Sequence, residues 1–220
     1  MDSAPSAALH LIWLRFRDRW WLKNLGYTTY LTAFMTLYFV LLRHPLFPVR
    51  TLPLTDLDHA IGFAPWSLIL YASLWFYISL VPSLFHAWSE MRIYLIQVTL
   101  LSLIGFTIFL FWPTAVPVAD IDWSAHPSVA FLKAVDATGN ACPSMHVAFA
   151  VLTAVWLYRL LDHVGAPLWA QLLNLAWCVG IVYSTLATKQ HVAWDVYAGA
   201  PLGLFLACLP PRPVLSVERS

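Results

Sequence analysis

Six apolar stretches restrict what this chain can fold into more than any other feature: about 27–42, 66–86, 93–112, 144–161, 168–187 and 191–209. Crossing the hydrocarbon core of a bilayer takes about 20 apolar residues at roughly 1.5 Å of rise each, and the stretches come close to that length. Composition agrees: the 220 residues are 60% hydrophobic and 10% charged, against roughly a quarter charged in a soluble domain. The expected fold is all-α, a polytopic membrane protein with six transmembrane helices. The first stretch is short and ends at Arg43, and Pro82 in the second predicts a kink or an early end. The first apolar run begins late and no small-x-small site follows it, so no cleaved signal peptide is expected. There is no internal repeat or low-complexity linker. The organisation reads as a cytoplasmic or interfacial N-terminal segment (1–26), a six-helix membrane domain (27–209) and a cytoplasmic tail (210–220).

A net charge of +1, with no basic block beside stacking aromatics, argues against a nucleic-acid partner. Cys142, Cys178 and Cys208 show no paired spacing, so neither a disulfide framework nor a thiolate zinc site is expected. With six spans, Arg15, Arg17, Arg19, Lys23, Arg92, Arg159, Arg212 and Arg219 share one face with both termini. Arg43, Arg50, Lys133 and Lys189 share the other. The positive-inside tendency then puts both termini in the cytoplasm. The chain is expected in an integral membrane location, the inner membrane if the source is a bacterium, with its chemistry on the periplasmic or luminal face. In residues 8–25, Arg15, Arg19 and Lys23 recur every four residues and would share one face of an interfacial helix, although a solvated juxtamembrane segment fits equally well. Trp20, Trp21, Trp66, Trp88, Trp112 and Trp169 fall near span ends, as an aromatic belt requires. On the far face the loops 43–65 and 113–142 are long and polar, the kind of connection that forms a lid or rim over a site.

Two segments carry chemistry. In Asn140-Ala-Cys-Pro143-Ser144-Met145-His146 the proline suits the first turn of a helix. The free N–H groups beyond it would favour an anion. Ser144 adds a hydroxyl donor and His146 a group that gives or takes a proton; a capped span with an interfacial histidine would show the same pattern. In Ser184-Thr-Leu-Ala-Thr-Lys-Gln-His191-Val-Ala-Trp-Asp195 the histidine and aspartate are four apart, so both are expected on one face of the sixth span. A carboxylate so placed can hold one ring nitrogen and leave the other free and basic. An acid one turn inside a membrane helix is expensive and usually functional. Lys189 lies just ahead and can bind a phosphate oxygen. Because the fourth span starts where the fifth ends and the sixth begins, His146, Lys189, His191 and Asp195 are all expected on the same non-cytoplasmic side.

Pro143-Ser144-x-His146 and Ser184-x6-His191-x3-Asp195 resemble the second and third signature motifs of the type 2 phosphatidic acid phosphatase superfamily. Those members include lipid phosphatases, undecaprenyl pyrophosphate phosphatases and, in one branch, inositol phosphorylceramide synthase. The resemblance implies that His191 is the nucleophile forming a phospho-histidine, that Asp195 orients it, that His146 protonates the leaving oxygen and that Ser144 binds phosphate. Ser184, Thr185 and Lys189 complete the candidate phosphate-binding set. The sequence departs from the pattern where the third motif commonly has Arg, here Thr185, and the first motif has no match. In its place Pro113-Thr114-Ala-Val-Pro117 resembles the Pro-Thr-x-x-Pro segment of the synthase-like branch. A phosphoryl group without neutralising charge reacts slowly, so Lys189, Lys133, Arg50 or Arg43 would have to supply it.

The leading expectation is an integral-membrane lipid phosphatase acting on a lipid phosphate or pyrophosphate, with membrane lipids also among its partners and no nucleic acid. No cofactor or metal is required, and no oligomeric state follows. One alternative is a phosphotransferase that moves a phospho-headgroup to a lipid alcohol, another a catalytically degenerate lipid binder. Zinc hydrolysis through His146, His191 and Asp195 lacks a H-E-x-x-H pattern, and a Ser144–His191 acyl hydrolase lacks G-x-S-x-G.

Overall fold

The computed structural model describes residues 3–136 and 139–209 and is a bundle of helices. Arg212 and Arg219 lie outside the described residues. Helix α1 (Ser3–Arg17) is followed by a left-handed Arg19 (φ 48°) and then by α2 (Trp20–Arg43). This bend corrects the expectation for 8–25: Arg15 and Lys23 belong to different helices and share no face. Both are buried, and each finds partners, as a buried cation must. The Lys23 ammonium donates to the carbonyls of Arg15 (2.6 Å) and Ser83 (3.2 Å). Arg15 donates to the Leu84 carbonyl (3.2 Å) and the Glu90 carboxylate (3.5 Å). The N-terminal segment is thereby stapled to the turn around residues 83–90.

Past α2 come the two-residue strand β1 (Arg50–Thr51) and the short α3 (Asp56–Ala60), which opens on a Thr55–Asp58 capping box. The second apolar run spans a 3-10 turn (Pro65–Ser67), α4 (Leu68–Ala72) and α5 (Leu74–Ser83). It is interrupted at Ser73, and it ends early, at Ser83, with Pro82 in the last turn of α5. The Ser73 hydroxyl donates to the Leu70 carbonyl (2.6 Å) and accepts from the Trp177 indole (2.9 Å), a local bond that competes with the helix backbone. Helix α6 (Trp88–Phe111) leads to β2 (Thr114–Ala115), which pairs in parallel with β1. Then follow α7 (Pro127–Asp136), α8 (Met145–His163), α9 (Leu168–Ala187) and α10 (Ala193–Cys208).

Among the described residues, five segments are long and apolar enough to cross a membrane: Trp20–Arg43, Pro65–Ser83, Trp88–Phe111, Met145–His163 and Leu168–Ala187. The sixth expected span, α10, has 16 residues and is about 24 Å long, short of the roughly 30 Å hydrocarbon core. Helix α8 is central. Trp156, Leu152, Leu160 and Ala148 on it are fully or almost fully buried, whereas α2, α5, α6 and α9 expose Leu, Ile, Phe and Trp side chains. A surface that apolar needs lipid or protein against it. The six tryptophans expected at span ends are all exposed.

Helix α10 lies on α8 through glycine. A Cβ at Gly199 would strike the Ser144 backbone, and one at Gly203 the Ala148 backbone. Small residues four apart let two helix backbones approach closely. Here they also set the register that brings Asp195, one turn earlier, to the start of α8.

Candidate active site

Two loops and two helix starts meet at one end of the bundle. Ser144 is the N-cap of α8, and its hydroxyl oxygen accepts from the Val147 N–H (3.2 Å). The helix therefore starts at Met145, two residues past Pro143, and the proline lies outside it rather than in its first turn. The preceding segment is tied down by Thr114, whose hydroxyl oxygen accepts from the Cys142 N–H (2.8 Å) and whose carbonyl accepts from the Ala141 N–H (3.2 Å). The Pro-Thr-x-x-Pro segment thus positions the backbone that leads to Ser144 and His146.

His191 precedes α10, which begins at Ala193, so the histidine and Asp195 are not two residues on one helix face as expected. Asp195 is the third residue of α10. Its Oδ2 accepts from the Val192 N–H (3.0 Å) and from His191 Nδ1 (3.1 Å). The capping contact that starts the helix is the same one that orients the imidazole. The two motifs are joined directly, because the Ser144 N–H donates to the Asp195 carbonyl (3.1 Å). Asp195 is wholly buried, with His146 9% and His191 8% exposed.

His146 is held differently. Its Nε2 lies 2.9 Å from the Tyr71 carbonyl, which can only accept, so Nε2 carries the hydrogen and Nδ1 is the remaining nitrogen. The imidazole stacks on the Tyr71 ring (centroids 3.9 Å apart, 16° between planes), with Trp75 edge-on at 6.3 Å.

Both histidines line one cavity of about 840 Å³. At their end it includes Asn140, Tyr71 and Tyr38; farther along it is walled by apolar side chains of α2, α5 and α6, and Lys23 and Arg92 also line it. Tyr38, whose carbonyl accepts from Asn140 Nδ2 (3.1 Å), is fifteen residues along α2 from Lys23. At 1.5 Å per residue the groove therefore runs about 22 Å along the bundle.

None of the four predicted phosphate ligands lines this cavity, and Ser144 is wholly buried at the start of α8. Ser184 and Thr185 are buried, and their hydroxyls donate back to the Ile181 (2.6 Å) and Val182 (2.8 Å) carbonyls of α9. Thr185 instead serves through its backbone, its carbonyl accepting from the N–H groups of Gln190 (3.1 Å) and His191 (3.0 Å). The Lys189 ammonium donates to the carbonyls of Asp58 (3.1 Å) and Ile61 (2.6 Å). Burial pushes its amine below the usual lysine range, opposed by the Asp58 carboxylate. Lys133 donates to the Lys189 carbonyl (2.9 Å), and Arg50 and Arg43 lie over the rings of Trp112 and Phe39. Burial, with a smaller contribution from Asp195, pushes the Cys142 thiol up to about 11, so it stays protonated at neutral pH. Among the described residues no group of three or more His, Cys, Asp or Glu is arranged to hold a metal ion.

Sequence reasoning missed Asp58, Asn140 and the Gly199/Gly203 pair. The glycine spacing was a visible signal; the partner of Asp58 was not.

The fold and this site define a class: an all-α protein of the membrane type, with a histidine oriented by aspartate and a second histidine facing the same apolar cavity. The model of the PAP2 superfamily matches residues 4–212, nearly the whole length, and the chain belongs to that superfamily. Its members are phosphatases or phosphotransferases, and this is an enzyme of that general kind, acting on phosphate-bearing lipids. No curated protein and no solved structure matches the chain significantly.

Proposed function

We propose that the chain is an integral-membrane lipid phosphatase that removes phosphate from a lipid phosphate or pyrophosphate through a phospho-histidine on His191. The observation that carries this reading is the shared cavity: His191, with Nδ1 held by Asp195, and His146 open into one apolar groove about 22 Å long. A lipid chain fits such a groove, with its phosphate between the imidazoles. Nε2 of His191 attacks phosphorus in line with the leaving oxygen. Asp195 stabilises the charge that develops on the ring. His146, protonated, gives the Nδ1 proton to the leaving oxygen; its Nε2–H stays on the Tyr71 carbonyl. Water then cleaves the phospho-histidine, and His146 takes back a proton. Ser144, the N-cap of α8 two residues before His146, is assigned to the phosphate through its place at that helix start. With α10 counted as a sixth crossing, eight cations against four support both termini in the cytoplasm and a reaction that faces the periplasm or lumen.

A phosphotransferase of the synthase-like branch is the second reading, and charge favours it. Among the cavity-lining residues the cations are Lys23 and Arg92, each near the start of a helix whose far end approaches the histidines. A phosphodiester carries one negative charge and needs less neutralisation than a phosphomonoester.

The test is phosphate release by the detergent-purified protein from a panel of lipid phosphates and pyrophosphates, with His191→Ala and His146→Ala alongside. Unchanged activity in His191→Ala would end the mechanism. Activity only when a phospholipid donor and a lipid alcohol are supplied together would move the reading to transfer.

A further inference from the structure

We propose that Asp58, on α3 of the loop between α2 and the second apolar run, is a positioning residue that sets the backbone carrying His191. The inference rests on the reading of His191 as nucleophile. Asp58 is 7% exposed, and its two carboxylate oxygens serve different elements. Oδ2 accepts from the Thr55 N–H and hydroxyl (both 2.8 Å), which fixes the carboxylate in α3. Oδ1 accepts from the Ala193 N–H (2.8 Å), the first residue of α10.

Two carboxylates therefore hold one helix start. Asp195 takes the Val192 N–H and the His191 ring from within α10; Asp58 takes the next N–H from outside it. The unpaired N–H groups of a first turn need acceptors, and a carboxylate is the strongest one available. The loop is locked in return, because the Lys189 ammonium donates to the Asp58 and Ile61 carbonyls. Lys189 has a left-handed backbone (φ 56°), a conformation uncommon for a residue with a Cβ. The segment 188–193 is thus gripped by the loop on both sides of His191. A nucleophile on an irregular segment keeps its aim only as well as that segment is held, and a shift of about 1 Å can lower a rate about a hundred-fold.

The experiment uses the full chain in detergent with dioleoyl phosphatidic acid as probe. It compares Asp58→Ala, Ala193→Pro and the double variant. Proline is favoured at the first helical position and lacks the N–H. The extended Val192 before it (φ −112°, ψ 167°) accepts it. Ala193→Pro therefore removes the contact while keeping the helix, and decides the matter even if Asp58→Ala does not fold. Each single change should lower kcat about ten- to a hundred-fold with KM unchanged. The double variant should be no slower than the slower single one. Amide exchange across residues 190–196 should quicken at least about ten-fold in both, and stay unchanged in the middle of α8.

Unchanged exchange overturns the proposal, as do rate losses that multiply in the double variant or a rise in KM alone. His191→Ala separates the two layers: if it stays active, the nucleophile reading falls and the exchange result alone judges the contact. The exchange result also decides if the wild type does not turn over this lipid.

Discussion

The two histidines share a cavity but are held by opposite kinds of matter. His191 sits in a mesh of charge and backbone polarity: Asp195 on its ring, the Thr185 carbonyl on its N–H, Asp58 and Lys189 gripping the segment around it. His146 stands in the first turn of the central helix, with the Tyr71 carbonyl as its polar partner, the Tyr71 ring stacked on it and Trp75 edge-on. The first arrangement suits a group that must gain positive character as it forms a bond to phosphorus, because the carboxylate stabilises it. The second suits a group that passes a proton and must otherwise keep still. One half of the site is electrostatic, the other steric.

Mutation can break this division, and the largest effect belongs to the electrostatic half. His191→Ala should lower turnover by about four orders of magnitude or more and abolish acid-labile phosphoenzyme, as expected when a nucleophile is removed. A phosphoenzyme trapped in that variant would show that another residue is attacked. His146→Gln should lose about 10²–10⁴-fold on a lipid phosphate. Much of that loss should vanish with a lipid nitrophenyl phosphate, whose leaving group needs no proton. Equal losses on both substrates would remove His146 from the role of acid.

Smaller changes sharpen the contrast. Gly203→Leu would drive a side chain into the Ala148 backbone. The close approach of α10 to α8 then makes overpacking cost about 1–3 kcal/mol, read as a lower thermal midpoint in detergent. Tyr71→Leu removes the stacked ring but keeps the carbonyl, and aromatic stacking contributes about 0.5–1.5 kcal/mol. A loss of about three- to ten-fold in kcat is expected, and it too should shrink with the nitrophenyl substrate. The smallest effect on substrate affinity is expected from Lys189→Met. Its ammonium is engaged by the loop carbonyls, so KM should change less than about three-fold while the thermal midpoint falls. A large rise in KM would instead return Lys189 to the phosphate.

Much of this was legible in the order of residues. Span length and apolar content are local properties, so the five long apolar segments among the described residues could be read from the stretches that form them. The Pro143–His146 and His191–Asp195 segments were legible because the chemistry they need is written at short spacing. The register of α10 on α8 was half legible, in the Gly199-x-x-x-Gly203 spacing that had only to be noticed. The orientation of cations was not: Lys189 stands two residues from His191 and yet reaches away from the cavity. A flexible four-carbon stem goes where acceptors are, and these lie on a loop more than a hundred residues earlier.

The sequence by itself determined an all-α membrane-type protein with a histidine–aspartate pair and a second histidine at helix starts, because hydrophobic length, proline and acid–base spacing act over a few residues. Only the tertiary structure decided that α10 is short, that His191 lies ahead of it, that both histidines open into one apolar groove, and that Asp58 meets Ala193. The last two are contacts between distant segments, set by which groups remain unpaired once the helices have packed, and no local pattern encodes that remainder.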